Sequence, residues 1–351
     1  MNNHRFNPGD APEWLARVFS EQIENQKTGL LVGINEDDCA VLDLGGELLV
    51  ITSDILNSWP ICLEYGLGSQ STLGHLVVTA SLSDLIGSGA KPIGLLITIA
   101  MPKESSWSNF ENTMLGVKEA CAAYGVPLVG GDTKLADVFH ISCTAIGHAN
   151  SREELFLKSA AVAGDDLWIS SSPGRCHAAV MALSHGLTEL SDWSSEVIIK
   201  PTLDRNRSAE LAASGLAHGG TDVSDGLATD LHDMCKSSKV GAIIHAHDIP
   251  ILPEVASVAK ALGVPGWVPT LGIGGDYTFL VTAPESSRPR MDEMGFHRIG
   301  TMTENPVIYL RISDTVIYPL DDVGHSDFLR RTFADEVVEL SRRFESWGNA
   351  E

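Results

Sequence analysis

Three carboxylates stand in a row, Glu36-Asp37-Asp38, directly ahead of the apolar run Cys39-Ala40-Val41-Leu42. Side chains alternate faces along a strand, so adjacent acids at its start cannot all share one partner. Packed side by side they repel, unless a cation sits among them. A single cluster of this kind reads as a solvated acidic loop. Here similar acids recur at the ends of apolar runs along much of the chain: Asp54, Asp84, Asp132, Asp222 with Asp225, and Asp276. A fold that gathers them needs cations.

At 351 residues the chain exceeds one ordinary core and suits two domains. A hydrophobic share of 44% and a charged share of 20% are normal globular values and argue against a disordered or fibrous chain. The formal net charge of -22 repels a polyphosphate backbone, so nucleic acid is not an expected partner. An anionic small substrate would need metal ions or a local patch of Lys and Arg. The 6 cysteines are scattered with no C-x-x-C pair, against a zinc site and a disulfide framework. No apolar run approaches the ~20 residues that span a bilayer, and Met1 to Asp10 is polar with no apolar signal segment. The expected location is cytoplasmic, with no membrane partner.

Periodicity orders the chain. A helix starts at Asp10-Ala11-Pro12-Glu13 and continues through Trp14, Leu15, Val18, Phe19 and Ile23. Cys39 to Leu44 and Leu48 to Thr52 read as a hairpin turning at Gly45-Gly46. Ser71 to Leu85 reads as a helix, Ile93 to Met101 as a buried strand, Ser105 to Tyr124 as a helix, and Val138 to Gly147 as a strand. A boundary falls near Ala149 to Glu154. Beyond it come a strand at Leu167 to Ser170, helices at Arg175 to Ser184, Arg205 to Gly215 and Ala228 to Lys236, and a strand at Gly241 to His245. A helix at Glu254 to Leu262 and a strand at Thr278 to Thr282 follow, then a charged helical tail from Ser326 to Trp347. Strands alternate with helices, but several strand pairs are hairpin-like. The fold class expected is therefore mixed α/β in two domains, 1–150 and 151–330, with a helical tail at 331–351.

Mg²⁺ takes hard oxygen ligands and binds through a few carboxylates plus substrate phosphates. Asp residues at strand ends beside Gly, Ser or Thr meet that need, because glycine lets backbone N–H groups approach a phosphate. Gly130-Gly131-Asp132-Thr133 is one such pairing and Asp222-Val223-Ser224-Asp225-Gly226 another. Singly, each also reads as a plain turn or a helix N-cap. There is no G-x-x-x-x-G-K-[ST] loop and no G-x-G-x-x-G fingerprint after a strand, so metal-assisted phosphoryl chemistry would run outside the common nucleotide folds. The histidines carry no metal expectation: His140 and His148 would be roughly 26 Å apart along an extended strand, and His245 with His247 reads as a solvated strand face.

Six motifs in order carry a resemblance. They are Gly33 to Leu42, Thr52-Ser53-Asp54, Leu82-Ser83-Asp84-Leu85 with Gly89-Ala90-Lys91-Pro92, Gly130-Gly131-Asp132-Thr133, Lys158-Ser159-Ala160 with Gly164-Asp165, and Asp222 to Leu227. From about Gly33 to Phe328 the chain resembles the thiamine-monophosphate kinases, within the ATP-binding superfamily of aminoimidazole ribonucleotide synthetase. The resemblance implies a two-domain α/β fold whose N-terminal domains pair into a dimeric β-barrel, with a C-terminal α/β sandwich, and so a homodimer. It implies ATP held through several Mg²⁺ ions. Asp38, Ser53, Asp54, Asp84, Asp132, Asp222 and Asp225 would hold the metals, with Thr52 adding an oxygen. Gly131, Asp132 and Ser224 would lie along the nucleotide. Lys158 stands where the family has Arg, keeping the charge and losing the bidentate fork. Catalysis would depend on Asp54, Asp132 and Asp225. The implied reaction moves the γ-phosphoryl group of ATP to thiamine monophosphate; a phosphate nucleophile is already ionised and needs no base.

The substrate side departs from the family. Its V-E-G-x-H-F reads Leu56-Asn57-Ser58-Trp59-Pro60-Ile61-Cys62, with Ile61 in place of His. Its G-E-D-Y-E reads Gly274-Gly275-Asp276-Tyr277-Thr278, so both Glu are gone. Glu36 replaces the usual Gly. Two other readings follow. One is a kinase of the same fold on another acceptor such as α-ribazole, with Asp37, Asp276 or a His as base. The other is an ATP-dependent amide- or carbonyl-activating enzyme or a non-catalytic nucleotide-binding protein.

Overall fold

Gly45 and Gly46 turn the chain at the expected place, both at positive φ (95° and 126°). Asp43 Oδ1 accepts both of their N–H groups, at 2.8 and 3.1 Å, and these two bonds hold its carboxyl below the usual range. The structure is a computed structural model that describes residues 11–25, 29–56 and 60–320. The helix expected over 326–347 lies outside the described residues.

In the N-terminal half, helix α1 (Ala11–Asn25) precedes β1 (Leu30–Val32), β2 (Ala40–Asp43) and β3 (Leu48–Ile55). A short α2 (Ile61–Glu64) and the long α3 (Gln70–Gly87) follow. Then come β4 (Lys91–Pro102), α4 (Trp107–Tyr124), β5 (Leu128–Ala136) and β6 (His140–Ala149). The strands form one open sheet in the order β1-β2-β3-β6-β4-β5. Only β4 and β5 run parallel, because α4 carries the chain back between them. Helices α3 and α4 close one face. They touch backbone to backbone: a Cβ on Gly74 would lie 2.0 Å from the Thr113 carbonyl, and one on Gly116 1.9 Å from that of Ser71. Val78, Leu82 and Leu85 of α3 join Val50, Leu95 and Ile141 of the sheet in the core.

The segment holding Gly130-Gly131-Asp132-Thr133 is not a turn but the middle of β5. Gly131 lies so close to β4 that a Cβ there would sit 1.8 Å from the Ile97 carbonyl. The glycine pair that by itself reads as a plain turn is thus a close strand approach. Residues of β5 are exposed on both faces, Leu128, Val129 and Leu135 among them.

The C-terminal half contains β7 (Asp166–Ile169), α5 (Arg175–Ser184), α6 (Ser191–Ile199), α7 (Arg205–Ser214), β8 (Gly220–Val223), α8 (Leu227–Ser238) and β9 (Gly241–His245). It continues through α9 (Pro253–Leu262), α10 (Val268–Leu271), β10 (Thr278–Ala283), α11 (Arg288–Glu293), β11 (His297–Thr303), β12 (Ile308–Arg311) and β13 (Ile317–Pro319). Its sheet runs β13-β12-β9-β11-β7-β10-β8, antiparallel except between β9 and β12. Both halves are therefore mixed α/β. The C-terminal end of α3 presses on β8, where a Cβ on Gly87 would lie 2.5 Å from Asp222 N. Phe156, Trp168 and Phe279 join the N-terminal core, so one apolar cluster spans the two halves. Among the described residues, no helix is long and apolar enough to cross a membrane.

Candidate active site

Four elements deliver acids to one place. The β1–β2 loop carries Asp37 and Asp38, β3 carries Thr52, Ser53 and Asp54, α3 carries Asp84, and the β8–α8 segment carries Asp222, Ser224 and Asp225. One oxygen each of Asp38, Asp84 and Asp222 lie within 4.8 Å of one another. Hydroxyls from the framework aim these carboxylates: Thr52 Oγ1 donates to Asp84 Oδ2 at 2.5 Å, and Ser83 Oγ to Asp222 Oδ2 at 2.5 Å. A cavity of about 410 Å³ opens on Asp38, Asp54, Asp84 and Asp225.

The electrostatics are those of crowded acids. Burial, then the charge of Asp38, pushes Asp222 up to about 7. Burial and then Asp54, Asp222 and Asp38 push Asp84 well above the usual carboxylate range. Burial raises Asp54 as well. Asp54 Oδ2 is buried with no hydrogen-bond partner. Such an orphaned oxygen costs energy unless something absent from the chain satisfies it. A hard cation among these oxygens answers both observations, so the residues present fit Mg²⁺.

Lys158 is 8% exposed, and its Nζ donates to Asp38 Oδ1 at 2.6 Å. Burial alone would lower Lys158, but Asp38 and Asp230 outweigh it and hold the ammonium charged. A second cavity of about 300 Å³ lies beyond this pair, lined by Asn35, Glu36, Asp37, Lys158 and Lys236. Glu36, unexplained by sequence, closes the turn after β1, where its Oε2 accepts the Gly33 N–H at 2.7 Å.

Not every expected residue joins the cluster. Pairing runs Ile55–Ser142, Ser142–Thr98 and Thr98–Asp132 across the sheet. Asp132 is therefore three strand spacings from Ile55, about 14 Å. It is exposed and pairs with Lys134 at 3.3 Å. One chain does not bring Gly131 and Asp132 to the cavity.

The two candidate bases are occupied. Asp276 is buried and caps α5: Oδ1 accepts the Cys176 N–H at 2.8 Å and Oδ2 that of Gly174. Asp37 accepts the N–H of Lys158 at 2.6 Å and that of Cys39 at 3.3 Å. Burial, then the Asp38 charge, pushes Asp37 up to about 6. His140 and His148 both fall in β6, while His245 ends β9 and bonds Asp248 at 3.0 Å.

Of the substituted positions, Ile61 and Gly275 line the cavity beside Leu56, Cys62 and Ile198. A Cβ on Gly275 would meet Cys176 Sγ at 3.0 Å. Thr278 instead serves the framework, its Oγ1 sharing a 2.7 Å bond with Ser170 Oγ. Sequence reasoning overlooked Tyr277, which lines the cavity at a positive φ of 50°, and Asp230 behind the β8–α8 loop. For Asp230 a signal existed: an acid one turn into a predicted helix.

Two mixed α/β halves with acids from both meeting in one cleft define the AIR synthase related architecture. Residues 36–149 match the AIR synthase related protein, N-terminal domain, and residues 162–312 the AIR synthase related protein, C-terminal domain. A thiamine-monophosphate kinase from Synechococcus elongatus is 30% identical over 301 residues, covering 81% of this chain and 89% of that protein. One from Archaeoglobus fulgidus is 29% identical over 314 residues, covering 90% and 95%. The solved structure of AaThiL complexed with AMPPCP and TMP superposes with a TM-score of 0.72 at 21% identity, over 91% of this chain and 99% of that one. The chain belongs to the thiamine-monophosphate kinase family.

Proposed function

We propose that the protein transfers the γ-phosphoryl group of ATP to thiamine monophosphate, giving thiamine diphosphate and ADP. The observation that carries this reading is the meeting of Asp38, Asp84 and Asp222 beside the orphaned Asp54 Oδ2. The named family members and the AMPPCP and TMP of the similar structure support it. Asp38, Thr52, Ser53, Asp54, Asp84, Asp222 and Asp225 would hold Mg²⁺. Bound there, Mg²⁺ neutralises phosphate charge and orients the triphosphate. The chain's own part is positioning. Ser83 and Thr52 fix the carboxylates, Lys158 offsets the charge of Asp38, and Ser224 faces the cavity. The acceptor phosphate oxygen bonds to the γ-phosphorus as the bond to the bridging oxygen breaks and ADP leaves. No base is required, which agrees with Asp37 and Asp276 being engaged elsewhere. The apolar wall of Leu56, Ile61 and Ile198 would take the organic part of the acceptor.

A coupled assay of ADP release tests this with thiamine monophosphate, with α-ribazole and with no acceptor. Thiamine diphosphate formed in step with ADP is expected. ADP released only with α-ribazole, or with none of these, sinks the reading.

The same reading includes a homodimer paired along β5, with the two copies building the barrel expected from the family. What supports it is an edge strand exposed on both faces with Leu128, Val129 and Leu135 uncovered, a liability a lone chain would blunt. Pairing there would also give Gly131 and Asp132 the roles that their place in one chain does not. Sedimentation velocity should return twice the 37.6 kDa chain mass. Leu135→Glu should shift it to the monomer; a monomeric wild type contradicts the proposal. The matches at 36–149 and 162–312 support a division into 1–150 and 151–330. The free thiols among the described residues suit the reducing cytoplasm.

A further inference from the structure

The loop that carries Ser224 and Asp225 is clamped from two sides, and one clamp is a buried carboxylate that phosphoryl transfer leaves unused. Asp230 lies one turn into α8 and is 2% exposed. Its Oδ2 accepts the N–H of Asp225 at 3.1 Å and that of Gly226 at 3.0 Å. A helix start leaves its first N–H groups without intrahelical acceptors, and a carboxylate there also suits the helix dipole. From the opposite side the Gly275 N–H donates to the Ser224 carbonyl at 2.8 Å, and the Tyr277 N–H to that of Val223 at 3.0 Å. The fit is close enough that a Cβ on Gly274 would sit 1.7 Å from the Ser224 carbonyl. Held between the two, the backbone from Val223 to Gly226 has one path, and Ser224 and Asp225 face the cavity.

We propose that Asp230 is a positioning residue that sets the affinity of the site for Mg·ATP by fixing the loop that presents Ser224 and Asp225. This rests on the reading of the cavity as a Mg·ATP site. The clamp formed by Gly275 and Tyr277 holds carbonyl groups, whereas the Asp230 carboxylate takes the two N–H groups at Asp225 and Gly226. Without it the N–H groups of Asp225 and Gly226 lose their side-chain acceptor, and Ser224 and Asp225 lose one of the supports that hold them at the cavity. The role belongs to a hydrogen-bond acceptor of the right length rather than to a charge. An amide oxygen can accept the same two bonds, so Asn should replace Asp and Ala should not.

Asp230→Ala and Asp230→Asn are compared with wild type in the full chain. Calorimetric titration of Mg·AMPPCP, which needs no acceptor and no turnover, reads the affinity. Amide exchange of the peptide spanning 222–230 in metal-free protein reads the loop. Asp230→Ala should bind Mg·AMPPCP about 10-fold or more weakly and lose protection at Asp225 and Gly226. Asp230→Asn should restore protection and bring affinity back to within about 3-fold of wild type. Wild-type affinity and protection in the Ala variant overturn the role. So does an Asn variant as impaired as Ala, since the charge would then be what matters. A wild type that binds no Mg·AMPPCP removes the underlying reading and this role with it, whereas wild-type binding beside an unchanged Ala variant removes this role alone.

Discussion

Asp54→Asn should lower ATP turnover by about 100-fold or more while leaving the fold intact. The carboxylate comes from the end of β3, and one of its oxygens is buried without a partner. Removing the charge therefore takes nothing from packing. It relieves repulsion instead, because burial and the charge of Asp38 already act against ionisation of Asp54. Metal-free Asp54→Asn should melt at or above the wild-type temperature, as the crowding that raises Asp84 is also reduced. Loss of function with gain of stability is the signature of a residue kept for a ligand rather than for folding. A core residue would move both quantities downward together. Steady-state ADP release and thermal melting in EDTA give the two readings. Wild-type turnover, or a melting temperature lowered along with the turnover, would remove Asp54 from the metal-binding set.

Why could so much of this be read from residues alone? The acids were legible because Asp38 stands in a row of acids directly ahead of an apolar run, and Asp54, Asp84, Asp222 and Asp225 each sit beside Gly, Ser or Thr. A carboxylate in that place has no packing purpose. The hairpin at Gly45-Gly46 and the helix over Arg175–Ser184 were legible because turn chemistry and apolar spacing agreed there. The strand β5 was misread because its glycines serve a close approach to β4, a contact between segments that α4 separates in sequence. Strand β8 was missed for a similar reason: Gly220-Thr221-Asp222-Val223 has polar residues buried on both faces, so no alternation marks it. Asp276 looked like a strand-end acid of the same kind as Asp54. Only the structure shows its two oxygens spent on the start of α5. Sequence spacing finds acids at strand ends; it does not say which have partners in the framework and which are left for a ligand.

That distinction predicts an unusual pH response. Without metal, the protein should lose stability as pH rises from about 6.5 to 8, and Mg²⁺ should reverse the trend. Asp222 titrates near 7 in the folded chain against 3.8 ordinarily, and Asp84 and Asp230 stand well above that range. Burial is the first cause for each, followed for Asp222 by Asp38, for Asp84 by Asp54, and for Asp230 by Asp225. The folded state thus keeps protons that the unfolded chain has already released, so unfolding becomes easier as pH rises. Between pH 6.5 and 8 the loss should be on the order of 1 to 3 kcal/mol. The window is chosen against the opposing groups. Burial holds His177 down at about 4 from 6.5 and lowers His75 as well, which makes the chain more stable as pH rises, but this gain is nearly complete by about pH 7.5 and in this window is smaller than the loss. Burial would raise Asp166, yet hydrogen bonds from Arg288 and Arg298 outweigh it and hold it low, so it acts at still lower pH. Burial also lifts the thiols of Cys143 and Cys235 to about 12, and these add to the loss only above pH 8. Mg²⁺ binds the ionised carboxylates, so its stabilisation should be small at pH 6.5 and large at pH 8. Melting curves in EDTA and in MgCl₂ at the two pH values give all four points. A metal-free stability that rises over this interval, or a Mg²⁺ gain equal at both ends, would mean the acids are solvated and separate rather than gathered around a cation.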